Sequence, residues 1–214
     1  GTTGLITATG VTTITGTAAA VKAVIDAEAD TGNAINLDTN FLVTITPAGS
    51  AVATDLSTIN TETSGLVTAT NVTEITGTLS EIKAVTDAEG DTGDKINLDG
   101  DFTATVSDTG SVAASDLTSV SGKTTGNIAA TGVTTVTGSA TEVAALIADQ
   151  ADSGDGVNLA ANVKATITGE AAAADLNNIN DGTTGLVTAT GVTKITGTAA
   201  AINTLMGQEG DSGN

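Results

Sequence analysis

The chain lacks the side chains on which most enzymes and transition-metal sites depend. Its 214 residues contain no cysteine, histidine, tryptophan or tyrosine, and only two phenylalanines and one proline. Without imidazole or thiol groups there is no histidine or cysteine general base, no thiolate nucleophile and no ordinary zinc or copper site. Any metal chemistry would have to use oxygen ligands.

Positive charge is also scarce. Six basic residues oppose 25 acidic ones, which gives a formal net charge of -19 at pH 7. Nucleic-acid binding depends on clustered Lys and Arg that neutralise phosphates, and here the basic residues are far apart in sequence. We therefore exclude nucleic acids and anionic membrane surfaces as partners. The basic residues are all lysines: Lys22, Lys83, Lys95, Lys123, Lys164 and Lys194.

Large apolar side chains and long apolar runs are missing as well. No stretch approaches the roughly 18 consecutive apolar residues of a membrane helix, so we expect no membrane insertion, and no signal peptide is visible. The apolar residues are mostly Ala, Val, Ile and Leu. Such residues can fill a thin interior, such as that of a stacked coil, rather than a thick globular core.

What the chain does have is an internal repeat. Four segments align without gaps, starting at Gly4, Gly65, Gly126 and Gly185, which are 61, 61 and 59 residues apart. They read GLITATGVTTITG, GLVTATNVTEITG, GNIAATGVTTVTG and GLVTATGVTKITG. A second unit with the same period lies between them and begins at Asn36, Asn97 and Asn158. Because the second unit is a distant copy of the first, the true coil is about 30 residues, in alternating A and B types.

We therefore predict one repeat array over residues 1–214, built as an α/β solenoid. Its seven coils alternate as A, B, A, B, A, B, A, and both ends are cut in register with the repeat, which favours a longer parent protein. The predicted coils are 1–32, 33–64, 65–93, 94–125, 126–154, 155–184 and 185–214.

Each coil has the pattern of a strand followed by a helix. In the first B coil Phe41, Val43 and Ile45 alternate with Leu42 and threonines, which predicts a strand with one buried face. A coils carry two shorter strand segments, and an apolar i, i+3, i+4 stripe follows them, as in a helix with one buried face. B helices are shorter and use an apolar i, i+3 pair such as Leu56 and Ile59. Thr78 with Glu81, and Ser139 with Glu142, have capping-box spacing. Successive strands should be parallel, with right-handed helical crossovers.

Stacking geometry leaves two arrangements of the helices open. Stacked strands lie about 4.8 Å apart, whereas packed helices need about 8 to 10 Å. Either the array curves into a horseshoe, or A and B helices occupy different places, so that one full solenoid turn could comprise one coil or two. The alternation of two coil types favours different places.

Acidic loops follow the A helices and give the first candidate site. Carboxylates spaced two apart around a glycine suit calcium, which takes 6 to 8 oxygen ligands in flexible geometry. The alternative is a solvated acidic turn. The third loop also contains Asp149. The candidate calcium ligands are Asp26, Glu28, Asp30, Asp87, Glu89, Asp91, Asp94, Asp99, Asp101, Asp152, Glu209 and Asp211.

Outward-facing threonines give the second candidate site. Regular Thr-x-Thr rows on a flat solenoid face resemble the ice-binding faces of β-solenoid antifreeze proteins. The alternative is that threonine is simply a soluble strand former. The predicted rows contain Thr44, Thr46, Thr103, Thr105, Thr166 and Thr168.

No candidate active site emerges, because the carboxylate pairs belong to a repeating loop and an enzyme needs one site that differs from its surroundings. The tandem Val-Thr-Ala-Thr, Val-Thr-x-Ile-Thr-Gly-Thr and Ala-Asp-Leu elements resemble the Thr/Ala/Gly-rich repeat regions of very large secreted surface proteins of marine bacteria and cyanobacteria. The resemblance implies an extracellular or cell-surface location and a role in adhesion, surface coating or filament formation.

The predicted function is therefore a non-catalytic structural repeat of an extracellular fibre, surface layer or adhesin stalk. Its expected partners are neighbouring repeats of the same protein, through end-to-end or lateral self-association, with no cofactor. The alternative is a repeat module that is stabilised by calcium or binds ice.

Overall fold

The computed structural model describes residues 4–28, 35–89, 96–150 and 156–209. These residues form an α/β protein with seven helices and parallel strands joined through helical crossovers. They divide into two compact units, residues 1–105 and 106–214, which are described separately below. None of the helices in the described ranges is long and apolar enough to cross a membrane.

The first unit alternates short strands with three helices. Its helices are α1 (Ala18–Glu28), α2 (Ala53–Glu62) and α3 (Leu79–Ala88). Its strands are β1 (Ile6–Thr7), β2 (Thr13–Gly16), β3 (Ile35–Asn36), β4 (Leu42–Ile45), β5 (Gly49–Val52), β6 (Val67–Ala69), β7 (Val72–Gly77), β8 (Ile96–Leu98) and β9 (Thr103–Val106), the last of which lies at the boundary.

The second unit has the same order with longer strands near its end. Its helices are α4 (Ala114–Ser121), α5 (Ala140–Gln150), α6 (Ala173–Gly182) and α7 (Ala199–Gln208). Its strands are β10 (Ser111–Ala113), β11 (Ile128–Ala129), β12 (Thr135–Gly138), β13 (Val157–Asn158), β14 (Lys164–Ala172) and β15 (Val187–Thr196).

Strand pairing in the first unit is parallel and staggered. The middle strand of the first B coil, β4, pairs on one edge with β2 of the preceding A coil and on the other with β6 of the next A coil. β2 is the second strand of the first A coil, whereas β6 is the first strand of the second A coil. Over one A–B pair, β4 therefore passes from the second strand of one A coil to the first strand of the next. At the same step β5, the third strand of the B coil, pairs with β7.

The second unit repeats this stagger. Thr135 of β12 pairs with Lys164 of β14, just as Thr13 pairs with Leu42 in the first unit. The long strand β14 then pairs along its length with β15, from Ala165 to Ala172, with two register shifts. Each long strand thus corresponds to two short strands of an earlier coil.

The period-two pattern predicted for the B coils is confirmed. Phe41 and Val43 are fully buried and Ile45 nearly so, while Leu42 between them is exposed. Helix stripes pack onto this face: Val21 and Ile25 of α1 and Leu56 and Ile59 of α2 are buried. The core of each unit is therefore a thin layer between strands and helices, made mostly of Val, Ile, Leu and Ala, with Phe41 and Phe102 among its largest buried side chains.

The helices begin at different distances along their strands in A and B coils. Helix α1 begins two residues after Gly16, whereas α2 begins eight residues after Ile45, which is the strand partner of Gly16. The extra residues in the B coil form β5. An A helix and the following B helix therefore start at displaced positions, which gives helices more room than strand spacing alone provides.

The predicted capping boxes are both present. Thr78 accepts from the Glu81 backbone, and Glu81 accepts from the Thr78 N–H at 2.8 Å. At α5 the Ser139 N–H donates to Glu142 at 2.8 Å, while Ser139 Oγ accepts from the Glu142 backbone at 3.3 Å. These reciprocal bonds fix where the strand ends and the helix begins.

Candidate functional site

Two of the predicted calcium ligands lie in ion pairs on the exposed sides of their helices. Lys22 Nζ contacts Asp26 Oδ2 at 2.7 Å, and Lys83 contacts Asp87 in the same i, i+4 arrangement. The hydrogen bond from Lys22 to Asp26 raises the pKa of the lysine. These carboxylates therefore have partners along the helix, one turn away.

Other acidic residues bond to the strand or helix beside them, Glu28 and Asp149 through the side chain and Glu89 through the backbone. Glu28 accepts a hydrogen bond from the Leu37 N–H at 3.3 Å, and Glu89 forms a parallel β-bridge with Ile96. In the third A coil, Asp149 Oδ2 accepts from Ser121 Oγ at 3.0 Å and from the Val157 N–H at 3.2 Å. Asp149 thus joins the end of α4 to the start of β13 within the second unit.

The described parts of the chain contain no group of three or more acidic residues arranged to hold a metal ion. Asp99 is half-buried, and Asp101 and Glu209 are exposed. Binding of calcium stays a prediction. Five of its predicted ligands lie outside the described residues: Asp30, Asp91, Asp94, Asp152 and Asp211.

The threonines predicted to face outward lie opposite the core. Thr44, Thr46 and Thr166 are half-buried, and Thr103, Thr105 and Thr168 are exposed. Strand register places Thr44 between Thr15 and Thr68, and Thr166 between Thr137 and Thr188. Threonines of A and B coils therefore alternate within one row, because the stagger brings an A strand to each side of a B strand.

On each of these B strands a second outward threonine follows, Thr46 after Thr44 and Thr168 after Thr166. Two residues before Thr44 the outward position is Leu42, and two residues before Thr166 it is Lys164. Thr103 and Thr105 contact the preceding A coil, where their hydroxyls donate to Thr73 O at 3.1 Å and to Glu74 Oε1 at 2.8 Å. Ice binding stays a prediction, and on this face the threonine pairs are adjoined by a leucine and a lysine.

A pair of buried threonines was missed by the sequence analysis. Thr63 donates its hydroxyl to Phe41 O and accepts from the Gly65 N–H at 3.0 Å. Thr183 makes the same two bonds, to Val163 O and from Gly185 at 3.0 Å. The Thr-Ser/Thr-Gly sequence at each exit from a B helix is the signal that could have identified them.

In both cases the glycine that follows the threonine by two residues lies against the backbone of the preceding strand. A Cβ at Gly65 would be 2.2 Å from Phe41 O, and a Cβ at Gly185 would be 2.3 Å from Val163 O. Only a residue without a Cβ fits so close to a neighbouring carbonyl. We call the side chains and backbone of 63–65 and 183–185 the exit turns.

A groove of about 400 Å³ lies on the last A coil of the second unit. Its apolar lining includes Leu176, Val187, Ile195, Leu205 and Met206. Ile195 is 44% exposed and Met206 61% exposed. Asn180, Thr190, Gln208 and Glu209 also line the groove. A groove with this large apolar share can bind an apolar surface.

Comparison with protein-family models, curated proteins and solved structures finds no match for the chain.

Proposed function

We propose that this protein is a structural, non-catalytic repeat module of an extracellular fibre, surface layer or adhesin stalk. Its strand–helix coils stack as a solenoid, and each added coil lengthens the array. Location and partners rest on the resemblance of its Thr-, Ala- and Gly-rich motifs to the repeat regions of secreted surface proteins. The stacking mechanism rests on the strand register within each unit.

One observation carries the proposal. The A-to-B step has the same register in both units, with Thr13 opposite Leu42 in the first and Thr135 opposite Lys164 in the second. Consecutive helices also pack against one another in each unit, α1 on α2 and α5 on α6. Because the A-to-B step recurs with the same register, it supports an array in which each coil adds its own stability and that of its interface with the next coil.

The burial pattern supports the same mechanism. Leu146 of α5 is fully buried, with α4 and α6 packed on either side of its helix. The equivalent residue of α7, Leu205, is only half-buried, and α7 packs on α6. A coil therefore gains burial when it has neighbours on both sides, which is how stacking supplies stability in repeat proteins.

Changing the number of coils tests the stacking mechanism. A variant in which residues 65–125 are duplicated adds one A–B pair, so the maximum dimension from small-angle scattering should grow by about 10 Å, twice the strand spacing. The matched control duplicates residues 65–93 alone, which creates an A–A step and should destabilise the chain. An unchanged maximum dimension in a folded A–B duplicate would contradict stacking.

Location is tested separately. Antibodies against the purified chain should label intact cells of the organism that produces it, by immunogold electron microscopy. The same micrographs test for fibres or a surface layer. Label found only inside sectioned cells would contradict the extracellular assignment without affecting the stacking mechanism.

A further inference from the structure

The last A coil of the second unit leaves uncovered a face that is covered in the third A coil. Ile195 is 44% exposed, whereas its equivalent Val136 is fully buried. Met206 is 61% exposed, whereas its equivalent Ile147 is 8% exposed. Helix α7 has no buried residue, although its sequence carries the same apolar stripe as α5.

A free sheet edge runs along the same face. Among the described strands the order is β10-β12-β14-β15, so within this part of the chain β15 is paired on one side only. In the same sheet β12 is paired on both sides, with β10 and β14. An unpaired edge of ten residues offers backbone donors and acceptors to another parallel strand.

Within the second unit, a B coil covers the equivalent face of the third A coil. Ile128 pairs with Val157, and Val136 with Ala165, while α6 and β14 pack on α5. The first unit makes the same A-to-B step, with Ile6 opposite Ile35 and Ile14 opposite Val43. In both units, therefore, the coil that covers this face of an A coil is a B coil.

We propose that the face formed by β15, Leu205 and Met206 binds a further B-type strand–helix coil. Val187 would then lie opposite the residue equivalent to Val157, and Ile195 opposite the residue equivalent to Ala165. The groove of about 400 Å³ would be filled by apolar side chains of the B coil. This inference rests on the proposed stacking function and names the partner of one end of the array.

A B-type coil fits this face better than a second copy of the chain. The first described coil of a copy is of the A type, and the described residues contain A–B and B–A strand pairs only. Each copy also carries a formal charge of -19, so association of two copies is opposed by repulsion. A single added coil brings far less charge to the same apolar groove.

The test extends the full chain with a coil of known B sequence. Residues 156–184 are appended after Asn214, which continues the repeat in phase. Met206 is the only methionine and so reports on this face alone, by mass spectrometry of sulfoxide formation in dilute peroxide. Because the rate of methionine oxidation depends on exposure, oxidation of Met206 should slow by about tenfold once the added coil buries it as Ile147 is buried. Hydrogen exchange of residues 187–196 should slow in parallel.

Two controls make the outcome specific. Appending the A-type residues 126–154 instead should leave the oxidation of Met206 fast, and Leu205→Asp in the B-extended chain should restore fast oxidation. An unchanged rate in the B-extended chain, or equal protection by the A-type coil, overturns the proposal. Protection that rises with concentration of the unextended chain also overturns it, in favour of a second copy. The duplication of residues 65–125 does not involve this face, so a failure of docking can be distinguished from a failure of stacking.

Discussion

Threonine serves two physical purposes in this chain, and burial separates them. Thr44 lies in an outward row between Thr15 and Thr68, where a branched side chain suits a strand exposed to water. Thr63 is 2% exposed and bonds the backbone on two sides. The hydroxyl is needed only in the second case, because there it replaces water for buried backbone groups.

The exit turns give the first prediction. Thr63→Val keeps the shape of the side chain but removes its bonds to Phe41 O and from the Gly65 N–H. With buried polar groups left unpaired, the free energy of unfolding should fall by about 2 kcal/mol. The measurement is the midpoint of urea unfolding of the first unit, followed by circular dichroism. The dependence of the unfolding free energy on urea concentration should stay the same in the variant.

The matched control is Thr44→Val, at a half-buried position of the outward row. We expect a change below about 0.5 kcal/mol, or a small gain, since valine is at least as good a strand former. Equal effects of the two substitutions would mean that the exit turn does not depend on its hydroxyl.

At the scale of single elements, capping side chains just after a strand determine where the next helix begins. The Glu142 carboxylate accepts from the backbone and side chain of Ser139, and these hydrogen bonds lower the pKa of Glu142. A lowered pKa in the folded state means that the capping contributes stability above the ordinary glutamate pKa. That contribution is lost as pH falls through the folded value.

We therefore predict that a carboxyl-detected NMR titration places the pKa of Glu142 below the ordinary glutamate value of about 4.3. Ser139→Ala should return this pKa toward the ordinary range, because one accepted bond is removed and the box no longer closes. A Glu142 pKa that does not move on substitution of Ser139 would contradict the capping box.

The helix stripes give a prediction with an internal control. Leu146 of α5 and Leu205 of α7 occupy equivalent positions, but the first is fully buried and the second half-buried. Leu146→Ala should destabilise the second unit by about 2 to 5 kcal/mol through cavity formation. Leu205→Ala should cost about 1 kcal/mol, in line with its partial burial. Urea unfolding of both variants measures the difference, and equal losses would contradict the burial pattern.

The elements of the coil could be predicted from sequence more fully than their pairing. Alternation at Phe41 to Ile45 predicts β4, and the stripe from Val21 to Ile25 predicts α1, because each pattern is local. The third B strand was missed, since Gly49–Val52 has small residues and no β-branched run. The stagger was missed because register depends on partners distant in sequence.

The same reasoning explains the outcome for the candidate sites. The outward direction of Thr44 and Thr166 follows from strand alternation, but their neighbours Thr15 and Thr137 follow from register. The exit turns combine both difficulties, because Thr63 has a polar side chain and its buried partner Phe41 is 22 residues away in sequence. Local pattern alone treats such a threonine as exposed.

At the scale of the whole molecule, negative charge is the dominant electrostatic feature. The chain has 25 acidic and six basic residues. Three ion pairs occur among the described residues, from Lys22, Lys83 and Lys194, and all three acidic partners are substantially exposed. Exposed pairs contribute little, so most carboxylates repel one another in water, and compaction has to overcome that repulsion.

Screening should therefore stabilise the protein, and it also provides the test of calcium binding. Raising sodium chloride from about 0.01 to about 0.5 M shortens the Debye length from about 30 Å to under 5 Å, so the melting temperature should rise by about 5 °C. The calcium hypothesis predicts a further rise with calcium chloride over magnesium chloride at equal ionic strength, because calcium accepts flexible sets of carboxylates more readily than magnesium. Asp91→Asn and Asp94→Asn together should reduce that difference, because they alter one of the four candidate loops, while leaving the sodium chloride effect in place. Equal melting temperatures in the two divalent salts would contradict calcium binding and leave screening as the full account of how this acidic chain responds to salt.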